Sequence, residues 1–332
     1  EPVILTSDIP WDVAGMAISD DRTRAAFSMN VEGRSEIYLL DLLSREFEQV
    51  DKVPVGLGGS LEFSPDGRKL GMTLSTAKTP SDSFVLALGE GALEYGELKR
   101  WTYSEVGGLD TDSFIEPELV HYPTFDSGSG GLEAIPAWVY KPAGEGPHPV
   151  IINIHGGPES QARPSFSSTY QMWLHKLGAV IIRPNVRGSA GYGKHYMSLD
   201  NGFKREDSVR DIGALLDWIA TQPDMDKNRV AVFGGSYGGY MVLASAVHYS
   251  DRLAAAVDVV GISNFVTFLE NTQDYRRDHR RAEYGDERDS AMREHLQSIS
   301  PLTHVDKIKI PMLVVQGQND PRVPVTEAIQ VV

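Results

Sequence analysis

The chain has 332 residues, 41% of them hydrophobic, with a formal net charge of −15 and no cysteine. Its length and apolar content suit one large or two ordinary domains with a substantial core, and the acidic excess, unbalanced by any basic run, argues against a nucleic-acid partner. No uninterrupted apolar stretch reaches the roughly 20 residues of a membrane span, and the absence of cysteine excludes disulfides and thiolate chemistry without assigning a compartment. The first residue is Glu1 rather than Met, so the native N-terminus is expected to lie elsewhere. The chain is read as cytoplasmic, with the periplasm left open.

The first hundred residues contain a repeat. Met16 to Phe27 and Leu61 to Met72 share one plan, a polar turn between two short strands, with Ser19 and Ser64 separated by 45 residues. Each copy is followed by a further strand candidate, Glu36 to Asp41 and Ser83 to Leu88. A period near 45 residues fits a four-stranded propeller blade. A closed propeller typically takes about four to eight blades, so residues 1–116 are expected to form a partial β-propeller of two blades, with a small β-sandwich or meander as the alternative.

From about Pro117 the pattern changes to alternating strands and helices. Ala137–Tyr140, Val150–Ile154, Val180–Arg183, Val230–Phe233, Ala255–Val260 and Met312–Val315 are short and apolar, as buried parallel strands are. Ser208 to Ile219 carries apolar residues at helical spacing. Together they predict a doubly wound α/β domain over residues 117–332. The stretch Asp126 to Gly131 is rich in glycine and serine, but strand-like residues flank it on both sides. It reads as a hairpin loop near the entry to this domain.

Within that domain, Val230-Ala-Val-Phe-Gly-Gly-Ser-Tyr-Gly-Gly-Tyr240 turns from an apolar run through glycines around Ser236. A bare G-x-S-x-G is a weak signal in a chain with 32 glycines. The preceding strand candidate and the helix-like run Tyr240 to His248 supply the context it needs. A serine lifted on a tight strand-to-helix turn is a nucleophile for acyl transfer, and Gly234 and Gly238 relieve the crowding of that turn.

Three further segments follow strand ends. His155-Gly-Gly-Pro158 places two glycines where backbone N–H groups can face a developing oxyanion, and the N–H groups of Gly157 and Tyr237 are the expected donors. Gln316 to Pro324 contains Asp320 where a triad acid belongs, the alternative being that Asp320 caps a turn before Pro321. Phe265 and Phe268 are candidates to line an apolar substrate pocket, with core packing an equal alternative. Asn185-Val-Arg-Gly-Ser-Ala-Gly-Tyr-Gly193 matches neither a phosphate-loop nor a dinucleotide pattern and is read as part of the site's rim.

A triad also needs a base. None of the nine histidines follows Asp320, whereas in this fold the histidine comes after the acid. Truncation before that histidine is the preferred explanation, and the chain as given is expected to be nearly inactive. His155 is read as support for the glycine loop rather than as the base. His248, His279, His295 and His304 lack an H-E-x-x-H spacing, so no metal and no cofactor are expected.

The segments His155 to Pro158, Asn185 to Gly193, Gly234 to Tyr240 and Gln316 to Pro324 jointly resemble the prolyl oligopeptidase family of serine peptidases. The resemblance implies an α/β-hydrolase domain behind an N-terminal β-propeller, with Ser236 as nucleophile and Asp320 as triad acid. The His-Gly-Gly-Pro loop is similar to the acylaminoacyl-peptidase branch, whereas the prolyl and dipeptidyl branches use a tyrosine side chain at the oxyanion, so proline specificity is not implied. Expected activity is hydrolysis of short peptides, N-acylated ones included. A carboxylesterase and a non-catalytic binding module are the alternatives, and oligomeric state is left open.

Overall fold

The computed structural model describes residues 3–332, which divide into two compact units: residues 3–117 with 163–171, and residues 118–162 with 172–332.

The first unit contains two four-stranded antiparallel sheets in simple meander order. One is built from β1 (Asp12–Ile18), β2 (Arg24–Val31), β3 (Arg34–Asp41) and β4 (Phe47–Gln49); the other from β5 (Gly56–Phe63), β6 (Lys69–Thr76), β7 (Asp82–Leu88) and β8 (Tyr95–Arg100). The sequence repeat has a hydrogen-bonded counterpart. Ser19 Oγ donates to Asp21 Oδ1 at 2.7 Å and accepts from the Arg24 N–H at 3.2 Å. Ser64 Oγ donates to Asp66 Oδ1 at 2.6 Å and accepts from the Lys69 N–H at 3.0 Å. A hydroxyl that closes the turn from inside satisfies the backbone where the strands separate, which is why the same Ser-x-Asp recurs. Alternation along β6 sends Leu70, Met72 and Leu74 inward to meet Ile37, Leu39 and Leu86. These are blade-like sheets of the kind the repeat predicts.

Residues 163–171 belong to this unit because of specific hydrogen bonds. Arg163 Nε donates to Gly33 O at 2.7 Å, and the Gln171 side chain exchanges hydrogen bonds with both backbone groups of Ile115. The short helix α1 (Ser168–Met172) ends this stretch.

The second unit is a seven-stranded sheet. Its strands are β9 (Glu118–Pro123), β10 (Ala134–Tyr140), β11 (His148–Ile154), β12 (Val180–Pro184), β13 (Met225–Gly235), β14 (Ala255–Val259) and β15 (Met312–Val315), in the order β15-β14-β13-β11-β12-β10-β9. The five strands from β11 onward pair in parallel, while β9 and β10 add an antiparallel edge. The glycine-rich stretch Asp126–Gly131 lies in the hairpin connection between β9 and β10, as expected. Helices α2 (Gly193–Met197), α3 (Asp207–Thr221), α4 (Tyr237–His248), α5 (Phe265–Asn271), α6 (Asp274–Tyr284), α7 (Ser290–Ile299) and α8 (Val325–Val331) complete the unit.

Two helices illustrate opposite packing. On α3, Val209, Ile212, Leu216 and Ile219 recur at helical spacing and are buried, while Arg210, Asp217 and Thr221 are exposed. On α4 every residue from Tyr237 to Val247 is buried. A helix apolar all round belongs inside the protein, and its position fixes the serine that precedes it. No helix among the described residues is long and apolar enough to cross a membrane.

Candidate active site

Ser236 joins β13 to α4 with φ 59° and ψ −118°. A non-glycine residue at positive φ is strained, and the surrounding structure must hold it there. The Ser236 N–H donates to Val259 O at 2.9 Å, tying the turn to β14. Close approach explains the glycines on either side. A Cβ on Gly234 would stand 2.4 Å from Gly238 O, and one on Gly238 would stand 2.2 Å from Ile154 O. The serine is thus lifted on a turn that only small residues permit. Among the described residues no hydrogen bond reaches Ser236 Oγ.

The loop after β11 runs beside it. A Cβ on Gly156 would lie 3.5 Å from Ser236 Cβ and 3.1 Å from Gly235 O. Gly157 adopts φ 137°, a backbone state open to glycine and strained for other residues. Its carbonyl accepts from Arg280 Nη1 at 2.9 Å and from the Tyr284 hydroxyl at 3.4 Å. Tyr237 opens α4, where N–H groups have no intrahelical carbonyl and carry the positive end of the helix dipole. The two expected oxyanion donors therefore belong to segments that flank the serine.

His155 supports this loop. Its Nδ1 lies 2.7 Å from Gly156 O, and its Nε2 faces Ser189 Oγ at 2.9 Å. Burial pushes the imidazole down to about 4, against the opposing pull of the Gly156 hydrogen bond. It is neutral at pH 7, and the tautomer protonated on Nδ1 is the one that can donate to Gly156.

The Asn185 to Gly193 segment is a set of ties. The Asn185 side chain bonds both backbone groups of Ala162, and Ser189 meets His155. Arg187 spans Asp211 on α3 and Asp126 on the β9–β10 hairpin, with Nη2 2.9 Å and 3.0 Å from their carboxylates.

Beneath α4 lies a second buried polar cluster. Asp200 Oδ2 accepts from Arg205 Nη1 at 2.5 Å and from the Tyr237 hydroxyl at 3.1 Å. Arg205 Nη2 donates to Glu283 O at 2.6 Å. The guanidinium also stacks 4.8 Å from the Tyr284 ring centroid. Burial raises Asp200 to about 6, and Arg205 opposes that rise. This network links the first residue of α4 to the end of α6. Sequence reasoning missed Asp200, Arg205, Arg280 and Tyr284, because no local spacing marks partners as far apart as Gly157 and Arg280.

Asp320 lies in the loop after β15 at the same carboxyl edge of the sheet, where open α/β sheets bind ligands. Its Oδ1 accepts from the N–H groups of Arg322 and Val323 at 2.8 and 3.2 Å, the turn-capping role weighed as the alternative. Its Oδ2 has no hydrogen bond among the described residues. Among the described residues no histidine is hydrogen-bonded to either Ser236 or Asp320.

Phe265 and Phe268 correct an expectation. They are 0% and 3% exposed and belong to the main core. Phe265 packs on Tyr240 at 4.6 Å and Tyr284 at 5.1 Å between ring centroids. Asn264 caps α5 by accepting from the Val266 and Thr267 N–H groups, and both rings lie on the buried side of that helix. They are packing residues, as the alternative reading had it.

A sequence model of the prolyl oligopeptidase family matches residues 164–332. The chain is 36% identical over 192 residues to dipeptidyl aminopeptidase BIII of Pseudoxanthomonas mexicana, covering 57% of this chain and 28% of that protein. It is 27% identical over 190 residues to the acylamino-acid-releasing enzyme of Mus musculus, covering 55% of this chain and 25% of that enzyme. The chain thus spans less than a third of the length of these two relatives. Among solved structures, prolyl oligopeptidase B from Galerina marginata superposes with a TM-score of 0.82 at 21% identity, over 97% of this chain and 45% of the other. That likeness supports the shared fold of blade-like sheets and an α/β-hydrolase unit.

Proposed function

This chain belongs to the prolyl oligopeptidase family, and from that membership and the geometry at the elbow we propose that it carries the nucleophile and oxyanion site of a serine peptidase acting on short peptides. The observation that carries the proposal is Ser236 held at φ 59° beside the Gly156–Gly157 loop. In this reading Ser236 Oγ attacks the scissile carbonyl carbon, and the carbonyl oxygen takes up negative charge between the N–H groups of Gly157 and Tyr237. Each such donor is worth about 3–4 kcal/mol of transition-state stabilisation. Collapse of the intermediate expels the amine with a proton and leaves an acyl-serine, which water then hydrolyses.

Asp320 Oδ2 would orient the imidazole that carries the proton. That imidazole is the member these residues do not supply. None of the nine histidines follows Asp320, and His155 is engaged with Gly156 and Ser189. These 332 residues by themselves are therefore expected to turn over slowly.

N-acylated peptides, free dipeptidyl ends and simple esters are all chemically open to this machinery. The names of the relatives include both an aminopeptidase and an acylamino-acid-releasing enzyme. The unpartnered Ser236 Oγ favours one other reading, a binding module that keeps the scaffold without the chemistry. To separate them, hydrolysis of an acetyl-peptide anilide, a free dipeptide anilide and p-nitrophenyl acetate is measured with and without added imidazole, beside Ser236→Ala. Slow turnover that imidazole accelerates and Ser236→Ala abolishes supports the peptidase. Turnover indifferent to Ser236→Ala removes it, and the ratio between the two anilides assigns the terminus that is read.

A further inference from the structure

Two residues beyond Gly157, Glu159 projects from the same loop toward α6, where His279 and Glu283 stand four residues apart. Residues at that spacing share one helix face. One donor atom from each of the three lies within 4.8 Å of the others. The Glu159 and His279 side chains reach solvent and, among the described residues, make no hydrogen bond or ion pair, whereas Glu283 is 2% exposed. The two oxygens of Glu283 differ. Oε2 pairs with the Arg280 guanidinium, while Oε1 is buried with no hydrogen-bond partner. A buried carboxylate oxygen without a donor is costly, and it belongs to the carboxylate that meets Glu159 and His279.

We propose that Glu159, His279 and Glu283 bind a divalent transition metal, with zinc the best fit. An imidazole nitrogen with two carboxylate oxygens is a zinc donor set, and the imidazole disfavours magnesium and calcium, which prefer all-oxygen shells. Ligands about 2.1 Å from a tetrahedral ion lie roughly 3.4 Å apart. The present spacing is wider than that, so binding requires the Glu159 and His279 side chains to move toward Glu283. Arg280 keeps Oε2 and the metal takes Oε1, so the existing ion pair survives. Solvent fills the remaining position.

The expectation that no metal binds rested on spacing within a single helix. Here the third ligand comes from a distant loop. Occupancy would cross-link the loop carrying Gly157 to the helix that already holds the Gly157 carbonyl through Arg280 and Tyr284. The site does not depend on the peptidase reading, because binding is measured without substrate.

The test is calorimetric titration of the 332-residue chain, freed of metal by chelation, with zinc sulfate. One zinc per chain is expected, together with a rise in Tm on addition. His279→Ala and Glu159→Gln, both on side chains that reach solvent, should each weaken binding by more than the roughly tenfold typical of losing an outer-shell partner, and should lose the Tm rise. Their metal-free Tm should match the parent. His195→Ala, at another exposed histidine, should bind normally, and magnesium chloride should give no saturable heat. Absence of a saturable zinc site overturns the proposal, as does binding that survives either substitution undiminished. Survival in Glu159→Gln alone would assign the ion to α6 and remove the link to the loop.

Discussion

His155 Nδ1 lies 2.7 Å from the carbonyl oxygen of Gly156, its neighbour in the chain. The same peptide group carries the N–H of Gly157 on its opposite edge, since in a trans peptide the carbonyl and N–H point opposite ways. Holding the Gly156 carbonyl therefore aims the Gly157 N–H. Replacing His155 by Ala should lower kcat by about 10- to 100-fold with little change in KM, because the loss falls on an interaction made mainly in the transition state. Steady-state kinetics on an activated ester, with imidazole present, reads this directly. A rise in KM at constant kcat would place His155 in ground-state binding instead.

The same residue sets a pH dependence. Burial holds its folded pKa at about 4, against an ordinary 6.5. Favouring the neutral form in the fold contributes stability that is complete above about 6.5 and is lost as pH falls through that value toward 4. A shift of this size corresponds to a loss on the order of 3 kcal/mol. Urea midpoints of the parent and His155→Gln between pH 7.5 and 4 should converge as the pH drops. Parallel curves would contradict a buried neutral imidazole.

Arg280 holds the other side of Gly157 while pairing with Glu283, a residue 2% exposed. Removing one partner of a buried pair leaves a charge uncompensated, at a cost of about 3–5 kcal/mol. Arg280→Met should therefore destabilise strongly. Arg280→Met with Glu283→Gln should recover much of that stability. Activity toward an ester should stay low in both, because the Gly157 carbonyl has lost its guanidinium. Thermal melts and ester kinetics on the four members of this cycle separate folding from positioning.

How much of this was legible in the sequence follows from the range of each interaction. The blade repeat was readable because Ser19 and Ser64 act on backbone a few residues away. The elbow was readable because its glycines, its serine and the flanking strand and helix patterns are contiguous in the chain, although the atom that excludes a Cβ at Gly238 is Ile154 O on β11. Strand β9 was legible only as strand-like residues before the hairpin loop, without bounds, since its burial is mixed and its residues show no apolar run. Phe265 and Phe268 look alike in sequence whether they face a pocket or the core, and their packing on Tyr240 and Tyr284 is tertiary. The ties from Arg205, Arg187 and Arg280 join distant segments, and a single charged residue in a sequence does not say which carboxylate or carbonyl it will meet.

Asp258, near the end of β14, is 1% exposed, and burial raises its pKa to about 7 despite an opposing hydrogen bond from the Gly261 backbone. Among the described residues its Oδ1 has no hydrogen-bond partner, and it occupies the space a Cβ on Gly239, in the first turn of α4, would need. A folded pKa above the unfolded value favours the protonated state. That contribution is full below about 3.8 and disappears as pH rises through about 7. Asp258→Asn, neutral at every pH, should gain on the parent as pH climbs from 4 to 8, by on the order of a few kcal/mol. Chemical denaturation at several pH values checks this, and a constant difference between the two proteins would show that the carboxyl is ionised throughout.

Asp320 offers the sharpest separation between structure and chemistry at the site. Its Oδ1 caps the turn through Arg322 and Val323, and its Oδ2 is unengaged. Asn keeps an oxygen for the two N–H groups, so Asp320→Asn should melt within about 0.5 kcal/mol of the parent, whereas Asp320→Ala should lose about 1 kcal/mol. For a triad acid both substitutions should fail alike in catalysis, since an amide cannot stabilise an imidazolium and a comparable acid-to-amide change elsewhere costs about 10⁴ in kcat. The comparison needs a histidine acting as base, which free imidazole can supply in part. If imidazole-dependent turnover of Asp320→Asn equals that of the parent while Asp320→Ala alone is impaired, Asp320 is a turn residue only and the triad acid must be sought on another strand end.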